Sequence, residues 1–349
     1  MSRSLTIYDT DYLNPYGREL AAQLDHCLAV RYIGCRAMHW RPGLADARFN
    51  VRQSVDGSSR VRVARSSFVR ALEASLRALR GDSLIVLWPR TLLEAIPFGI
   101  AGLVTKRVWF TLHNPHPRTG QPAKVRLSQL VLRKTCRLLV HSDRLLALLP
   151  ARERGRARVV EHPPYLNYLK GAGELTRRER GGKRTVLFLG QLRPDKSPEE
   201  LLTIVSALPN VDEVKLLFCG KGDLGPLGGQ LAQRIEIDDR TDPKGVDDRA
   251  LVSALSEADV MCAPYREATQ SGSIILALTA GLEVVAYDSG AIADFGDWIT
   301  LVPAGDAVAM AQAVSKGNAT AELDDQGIEG RVRQWSNRAK TSWLRALET

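Results

Sequence analysis

A chain of 349 residues, 44% hydrophobic and 25% charged, is too long for one ordinary domain and too apolar for a disordered or low-complexity chain. Five cysteines without a CxxC pair provide no disulfide framework and suit a reducing compartment. The net charge of +9 is uneven: residues 1–165 hold 27 Lys and Arg against 12 Asp and Glu, whereas the remainder is net acidic by six, so the first half is expected to meet an anionic partner such as a membrane surface, a phosphorylated lipid or nucleic acid.

The start, MSRSLTIYDTD, reaches acidic residues after a very short apolar run and does not read as a secretory signal. SLTIYDT is a first strand, and the loop DYLNPYGREL leads into a helix, RELAAQLDHCLA, and a second strand, AVRYI. Asp9, Thr10 and Asp11 form a DxD string, which is common by chance in a strand-to-loop turn; no metal site is expected. Residues 60–80 have a helical pattern with Phe68, Val69, Leu72, Leu76 and Leu79 on one side and arginines on the other. SLIVLW is a buried strand, and TLLEAIPFGIAGL is a helix begun or bent near Pro97, too short and too interrupted to cross a bilayer. RVWFTLH is a strand ending at His113, followed by a Pro-rich loop, a basic helix over Val125–Cys136, the strand RLLVHS and a short helix. This alternation predicts a parallel, doubly wound sheet.

Residues 169–184, rich in Gly and charge, read as a linker between a first domain, 1–168, and a second, 185–328. TVLFLG, KLLFCGKG, RIEID, VMCAPY, EVVAY and ITLVP supply the strands of a second α/β series, and residues 329–349 carry Trp335 and Trp343 on a terminal helical pattern. The second half is organised around Pro264–Gly290, where a strand ending at Pro264, a small-residue turn, an apolar helix closed by Gly281 and a further strand follow one another. Helix N-termini after such turns favour an anion such as a phosphate. Three other strand ends join this turn: FLGQLRPDK with Gly190, Arg193 and Lys196, FCGKG with Gly220, and YDSGAIADFGD. Open α/β sheets bind ligands at such ends, and two cations beside a helix N-terminus suit a diphosphate.

In this order the segments resemble the donor-binding half of family-four glycosyltransferases of the GT-B fold. GQLRPDK is similar to that family's glycine–lysine turn, AGLEVVAYDSG to its AGxPVVAxxxG run, WSNRAKTSWLRAL to its terminal helix and TLHN to its strand-end histidine facing the interdomain cleft; NPY and Trp88–Pro89 resemble a bacterial exopolysaccharide subgroup. The resemblance implies two Rossmann-like doubly wound domains facing a cleft, with residues 329–349 crossing back to the first. Arg193 and Lys196 would then hold the diphosphate, with Gly190, Gly220, Gln270, Ser271, Gly272 and Ser273 completing the donor site. His113 would face the donor sugar, Glu267 would reach its hydroxyls, and Asn14, Tyr16 and Asn114 would lie on the acceptor side. His116, His141 and His162 are expected to be structural or surface residues. The pattern departs from the family where its paired glutamates fall on Ala268 and Leu276, and where Gln191 replaces an arginine.

The implied activity is retaining, metal-independent hexosyl transfer from a nucleotide diphosphate sugar to a lipid-linked or glycan acceptor. No cofactor beyond that co-substrate is expected. The enzyme would be cytoplasmic, peripheral at an anionic membrane, and without a nucleic-acid partner. A non-catalytic nucleotide-sugar-binding subunit, supported by the missing glutamate, and a sugar-nucleotide epimerase are the alternatives.

Overall fold

Short runs of β-branched and apolar residues, buried on both faces, need helices on either side, and the chain supplies them between successive strands. The computed structural model describes every residue except 1–3, 11–13, 36–51, 55–59, 90, 115–121, 177–181, 267–270, 317–324 and 349. It divides into two units, unit 1 comprising Met1–Pro163 and Trp335–Thr349 and unit 2 comprising Pro164–Gln334.

Unit 1 runs β1 (Ser4–Asp9), α1 (Tyr16–Leu24), β2 (Ala29–Cys35), β3 (Arg52–Ser54), α2 (Arg60–Leu79), β4 (Ser83–Val86), α3 (Leu92–Val104), β5 (Val108–Thr111), α4 (Ala123–Thr135), β6 (Arg137–Val140), α5 (Asp143–Ala147), α6 (Ala151–Arg154) and β7 (Ala157–Val159). Its strands pair in parallel in the order β3-β2-β1-β4-β5-β6-β7, so the order reverses between β1 and β4. The crossovers through α2, α3 and α4 all advance toward β7, and right-handed crossing places these three helices on one face of the sheet, opposite α1. Gly99 and Gly102 let α3 lie close on α4: a Cβ at Gly102 would come within 2.8 Å of the Cys136 Sγ and the Thr135 carbonyl oxygen.

The face of α2 differs from the one its apolar pattern suggests. Ser67, Ala71, Ala74, Ser75 and Ala78 are buried, whereas Phe68, Val69, Leu72, Leu76 and Leu79 are exposed. Small side chains permit close helix-to-sheet packing, so the larger apolar stripe points outward.

Unit 2 runs α7 (Leu166–Ala172), β8 (Arg184–Leu189), α8 (Glu200–Ser206), β9 (Val214–Lys221), α9 (Gly225–Ala232), β10 (Glu236–Asp242), α10 (Asp248–Glu257), β11 (Val260–Ala263), α11 (Gly272–Thr279), β12 (Glu283–Tyr287), β13 (Thr300–Val302), α12 (Ala307–Lys316) and α13 (Asp325–Leu347). Its parallel sheet has the order β10-β9-β8-β11-β12-β13, with the reversal between β8 and β11. Both units are therefore Rossmann-like and doubly wound. The first residues of the expected linker are helical, in α7, where Leu169 and Ala172 are buried. From Trp335 onward α13 belongs to unit 1. There the Trp335 and Trp343 indole N–H groups donate to the His162 and Glu161 carbonyls at 3.0 Å each, and the Glu161 amide donates to Ser342 Oγ at 2.9 Å. Cys136, Cys219 and Cys262 are buried free thiols pushed up to about 12 by desolvation, which leaves them inert.

Candidate functional site

In unit 2 the reversal point brings together the end of β8, the end of β11 and the start of α11. Lys196, in the turn after β8, is only 8% exposed. A buried ammonium must be paired, and its Nζ donates to Ser273 Oγ at 2.8 Å and to the Tyr265 hydroxyl and Leu189 carbonyl at 3.3 Å each. It also lies 4.8 Å from the centre of the Tyr265 ring. Tyr265 is in turn fixed, its hydroxyl donating to the Leu189 carbonyl at 3.2 Å and its own carbonyl accepting from Ser289 Oγ at 2.6 Å. Burial raises the Tyr265 phenol well above its ordinary value, so it stays neutral beside the lysine.

The backbone around this lysine has no spare room. Gly190 has φ +117°, and a Cβ there would fall 2.4 Å from Lys196 Nζ and 2.5 Å from Ser273 Oγ. Gly220, at φ +149°, carries the next strand against it, where a Cβ would fall 1.9 Å from the Gly190 carbonyl oxygen. Ser271 caps α11, its hydroxyl accepting from the Ile274 amide at 3.5 Å. The amides of Gly272 and Ser273 then lie in the first turn, where helix geometry leaves N–H groups without intrahelical acceptors. A cation, an N-terminal helix turn and hydroxyls meeting at a sheet reversal can receive an anionic group and stabilise charge on it.

Arg193 lies on the same turn, half-exposed, and pairs with Asp195 at 2.8 Å and Gln191 at 3.4 Å. Its guanidinium is thus tethered within its own loop, whereas the Lys196 ammonium reaches Tyr265 and Ser273. Glu200 on α8 pairs with Arg266 and accepts from the Tyr287 hydroxyl at 3.4 Å. Burial, aided by the Glu200 carboxylate, pushes the Tyr287 phenol up to about 12. Leu276 is buried on α11. Glu267 and Gln270 lie outside the described residues.

Unit 1 gathers its own cluster at the equivalent reversal. His113, two residues beyond β5, stacks on Trp88 with ring centres 3.9 Å apart and planes 7° apart, and meets Tyr16 edge-on at 5.0 Å. The Tyr16 hydroxyl lies 3.1 Å from His141 Nε2, and His141 Nδ1 lies 3.1 Å from the Val160 carbonyl. A carbonyl only accepts, so Nδ1 carries the proton and Nε2 accepts from Tyr16. His162 Nδ1 likewise donates to the Pro163 carbonyl at 2.8 Å. Desolvation lowers His141 to about 4 and His162 well below its ordinary value, so both are neutral. Tyr16 is fully buried and spends its hydroxyl on His141. It therefore helps to hold the histidine cluster. Asn14 Oδ1 accepts from the Tyr16 amide at 3.0 Å just ahead of α1, while Asn114 is half-buried beside His113. Asp9 is buried and accepts from the Tyr32 hydroxyl at 2.7 Å; His116 and Asp11 lie outside the described residues.

Sequence patterns pointed to Gly190, Lys196 and Ser271–Ser273, which the structure brings together. They missed Tyr265 and Glu200 as site residues. Tyr265 lay inside the recognised turn, but nothing in the sequence shows that its ring supports a lysine 69 positions earlier. Glu200 carries no signal beyond an acid in a helix start.

Residues 183–317 match the family described as "Glycosyl transferases group 1". A phosphatidyl-myo-inositol mannosyltransferase of Mycobacterium leprae is 37% identical over 168 residues, covering 44% of this chain and 43% of that protein. The chain thus matches less than half the length of this curated relative. Among solved structures, sucrose-phosphate synthase from Thermosynechococcus elongatus superposes with a TM-score of 0.64 at 15% identity over 99% of this chain and 96% of its own. Anabaena HepE in complex with UDP and glucose does so with a TM-score of 0.62 at 13% identity over 99% and 95%. Residues 183–317 thus resemble a glycosyltransferase family, and the solved neighbours share the fold of the chain.

Proposed function

We propose that this chain transfers a hexosyl group from a nucleotide diphosphate sugar to a lipid-linked or glycan acceptor, with retention of configuration. The observation that carries the reading is the Lys196 ammonium, pre-positioned by Ser273 and Tyr265 beside the N-terminus of α11 at the sheet reversal of unit 2. A leaving nucleoside diphosphate gains negative charge as the glycosidic bond breaks. A fixed cation and unpaired helix amides stabilise it without reorganising. Arg193 supplies a second cation from the same turn once a phosphate competes with Asp195. His113, Asn14 and Asn114 serve the sugar and acceptor chemistry, as do Glu267 and Gln270. The mannosyltransferase relative favours mannose and an inositol phospholipid as the first donor sugar and acceptor to try. Cations at the leaving group take the part a divalent ion has in other transferases, and the protein acts peripherally at the cytoplasmic face of a membrane.

The test is turnover and calorimetry with UDP- and GDP-linked hexoses, using phosphatidylinositol and soluble glycan acceptors. Saturable donor binding with release of nucleoside diphosphate is expected, and turnover is expected to persist in excess chelator. Loss of turnover that magnesium restores would remove the metal-independent part. The buried Leu276, standing where the family pattern has a glutamate, favours a second reading: a nucleotide-sugar-binding subunit without turnover. Donor binding without transfer to any acceptor would select it, and absence of donor binding would sink both.

A further inference from the structure

The Trp88–Pro89 pair marks the point where β4 leaves the sheet of unit 1. Proline confines the residue before it to extended backbone. The Leu87 amide donates to the Tyr8 carbonyl at 2.9 Å, and the hydroxyl of the buried Thr10 donates to the Trp88 carbonyl, so this backbone is held against the continuation of β1. On β5, the strand beside β4, the Leu112 amide donates to the Leu139 carbonyl at 2.8 Å and fixes the chain just ahead of His113. Val86 and Phe110 are paired across these two parallel strands. Trp88 and His113 follow shortly after that pair, which brings their rings face to face.

The imidazole is bounded on two sides. The Trp88 indole covers one face, with 3.9 Å between ring centres and 7° between planes. Tyr16 meets it at 84° and 5.0 Å, and Tyr16 cannot yield, since it is fully buried with its hydroxyl bonded to His141. The outer torsion of a histidine has broad wells, so the plane of the ring is set by what packs against it. The Trp88 indole N–H is buried and has no acceptor among the described residues. A buried donor left in that state costs stability, so the hydrogen bond is not what an indole contributes here. What it contributes is a large flat face.

We propose that Trp88 is a positioning residue for His113: its indole face, opposed by Tyr16, fixes the plane in which the imidazole serves sugar transfer. The proposal rests on the reading of His113 as a group that serves the sugar. Trp88 acts through the histidine and not on the nucleotide. A displacement of about 1 Å in an orienting group can cost about a hundredfold in rate, so an imidazole able to turn lowers turnover. The hold on the diphosphate, which belongs to Lys196 and the start of α11, is unaffected.

The test combines magnetic resonance on the full chain, with its histidine rings isotopically labelled, and kinetics with the preferred UDP- or GDP-linked hexose. His113→Gln assigns the His113 signals. In the wild type these ring protons are expected upfield of an unstacked histidine, because an indole face shields protons lying over it. Trp88→Leu keeps apolar bulk and removes the aromatic face. It is expected to move the His113 signals downfield and to lower kcat roughly tenfold or more, with donor affinity by calorimetry unchanged. Trp88→Phe keeps a ring face and is expected to restore most of the shift and most of the turnover. Unshifted His113 signals in the wild type, wild-type kcat in a folded Leu variant, or equal losses in the Leu and Phe variants overturn the proposal. Should the Leu variant unfold, the wild-type spectrum and the Phe variant decide: an upfield signal kept by Phe together with most of the turnover supports the stack, and loss of either overturns it. A wild type that binds donor but transfers to no acceptor sinks the transfer reading instead, and the His113 signals of the Leu variant then decide alone whether Trp88 sets the ring.

Discussion

Lys196 is worth most to the unit 2 site as a charge already in place. Replacing it with Met keeps the apolar stem and removes the ammonium. A hydrogen bond to a charged group contributes about 1.5–3 kcal/mol, so affinity for a nucleoside diphosphate is expected to fall tenfold or more. Calorimetry on Lys196→Met with the preferred donor checks this, and unchanged affinity would remove the lysine from the site. The neighbouring glycines separate function from fold. An alanine Cβ at Gly190 would fall on both Lys196 Nζ and Ser273 Oγ at a backbone φ of +117°, so Gly190→Ala is expected to lose donor affinity as well as stability. At Gly220 the Cβ meets a backbone carbonyl instead, so Gly220→Ala is expected to cost mainly stability. If Gly190→Ala binds donor like the wild type, the crowding argument fails. The histidines of unit 1 give a pH dependence. His141 is neutral when folded, with its value lowered from 6.5 to about 4, so the unfolded chain binds the proton more readily across that window. Stability is then complete above about pH 6.5 and declines as pH falls toward 4, by roughly 3 kcal/mol for this one group. His162 acts in the same direction. Thermal midpoints that stay flat between neutral pH and about pH 5 would contradict a buried neutral pair.

Among the elements, the last turns of α13 show how much one helix can hold. The Trp343 side chain is fully buried and bonded to the Glu161 carbonyl, so Trp343→Ala is expected to destabilise the protein by about 3–5 kcal/mol. Chemical denaturation would measure it, and a loss below about 1 kcal/mol would mean that the helix end is dispensable. The elements also show what the residue pattern conveyed. Strands such as β8, β11 and β12 were legible because they are long apolar runs closed by turn residues. The three-residue strands β3 and β7 were not, since neither sits within a longer apolar run as β13 does in ITLVP. Helix α9, with the sequence GPLGGQLA, is hidden by glycines that propensity reads as loop, and tertiary packing overrides them. In α2 the periodicity was legible and the inward face was not, because small residues packed inward and large ones outward. The site followed the same division. Residues supplied by loops at strand ends could be read from spacing and turn chemistry, whereas Tyr265 and Glu200 acquire their roles only through packing across distant segments.

For the molecule as a whole, the uneven charge has a structural counterpart, since the basic half of the sequence is also the half with the uncovered apolar helices. Unit 2 is one unbroken stretch of chain, while unit 1 is assembled from two stretches that the whole of unit 2 separates. This division affects biosynthesis. When chain growth reaches Gln334, every residue of unit 2 has been made, but the Glu161 and His162 carbonyls still lack the indoles that will cap them. Vectorial synthesis usually favours the domain encoded first. Here the earlier stretch of unit 1 must wait for the later turns of α13, so a nascent chain stalled just short of Trp335 is expected to resist protease across residues 184–316 while remaining open to cleavage in the segment leading to Pro163.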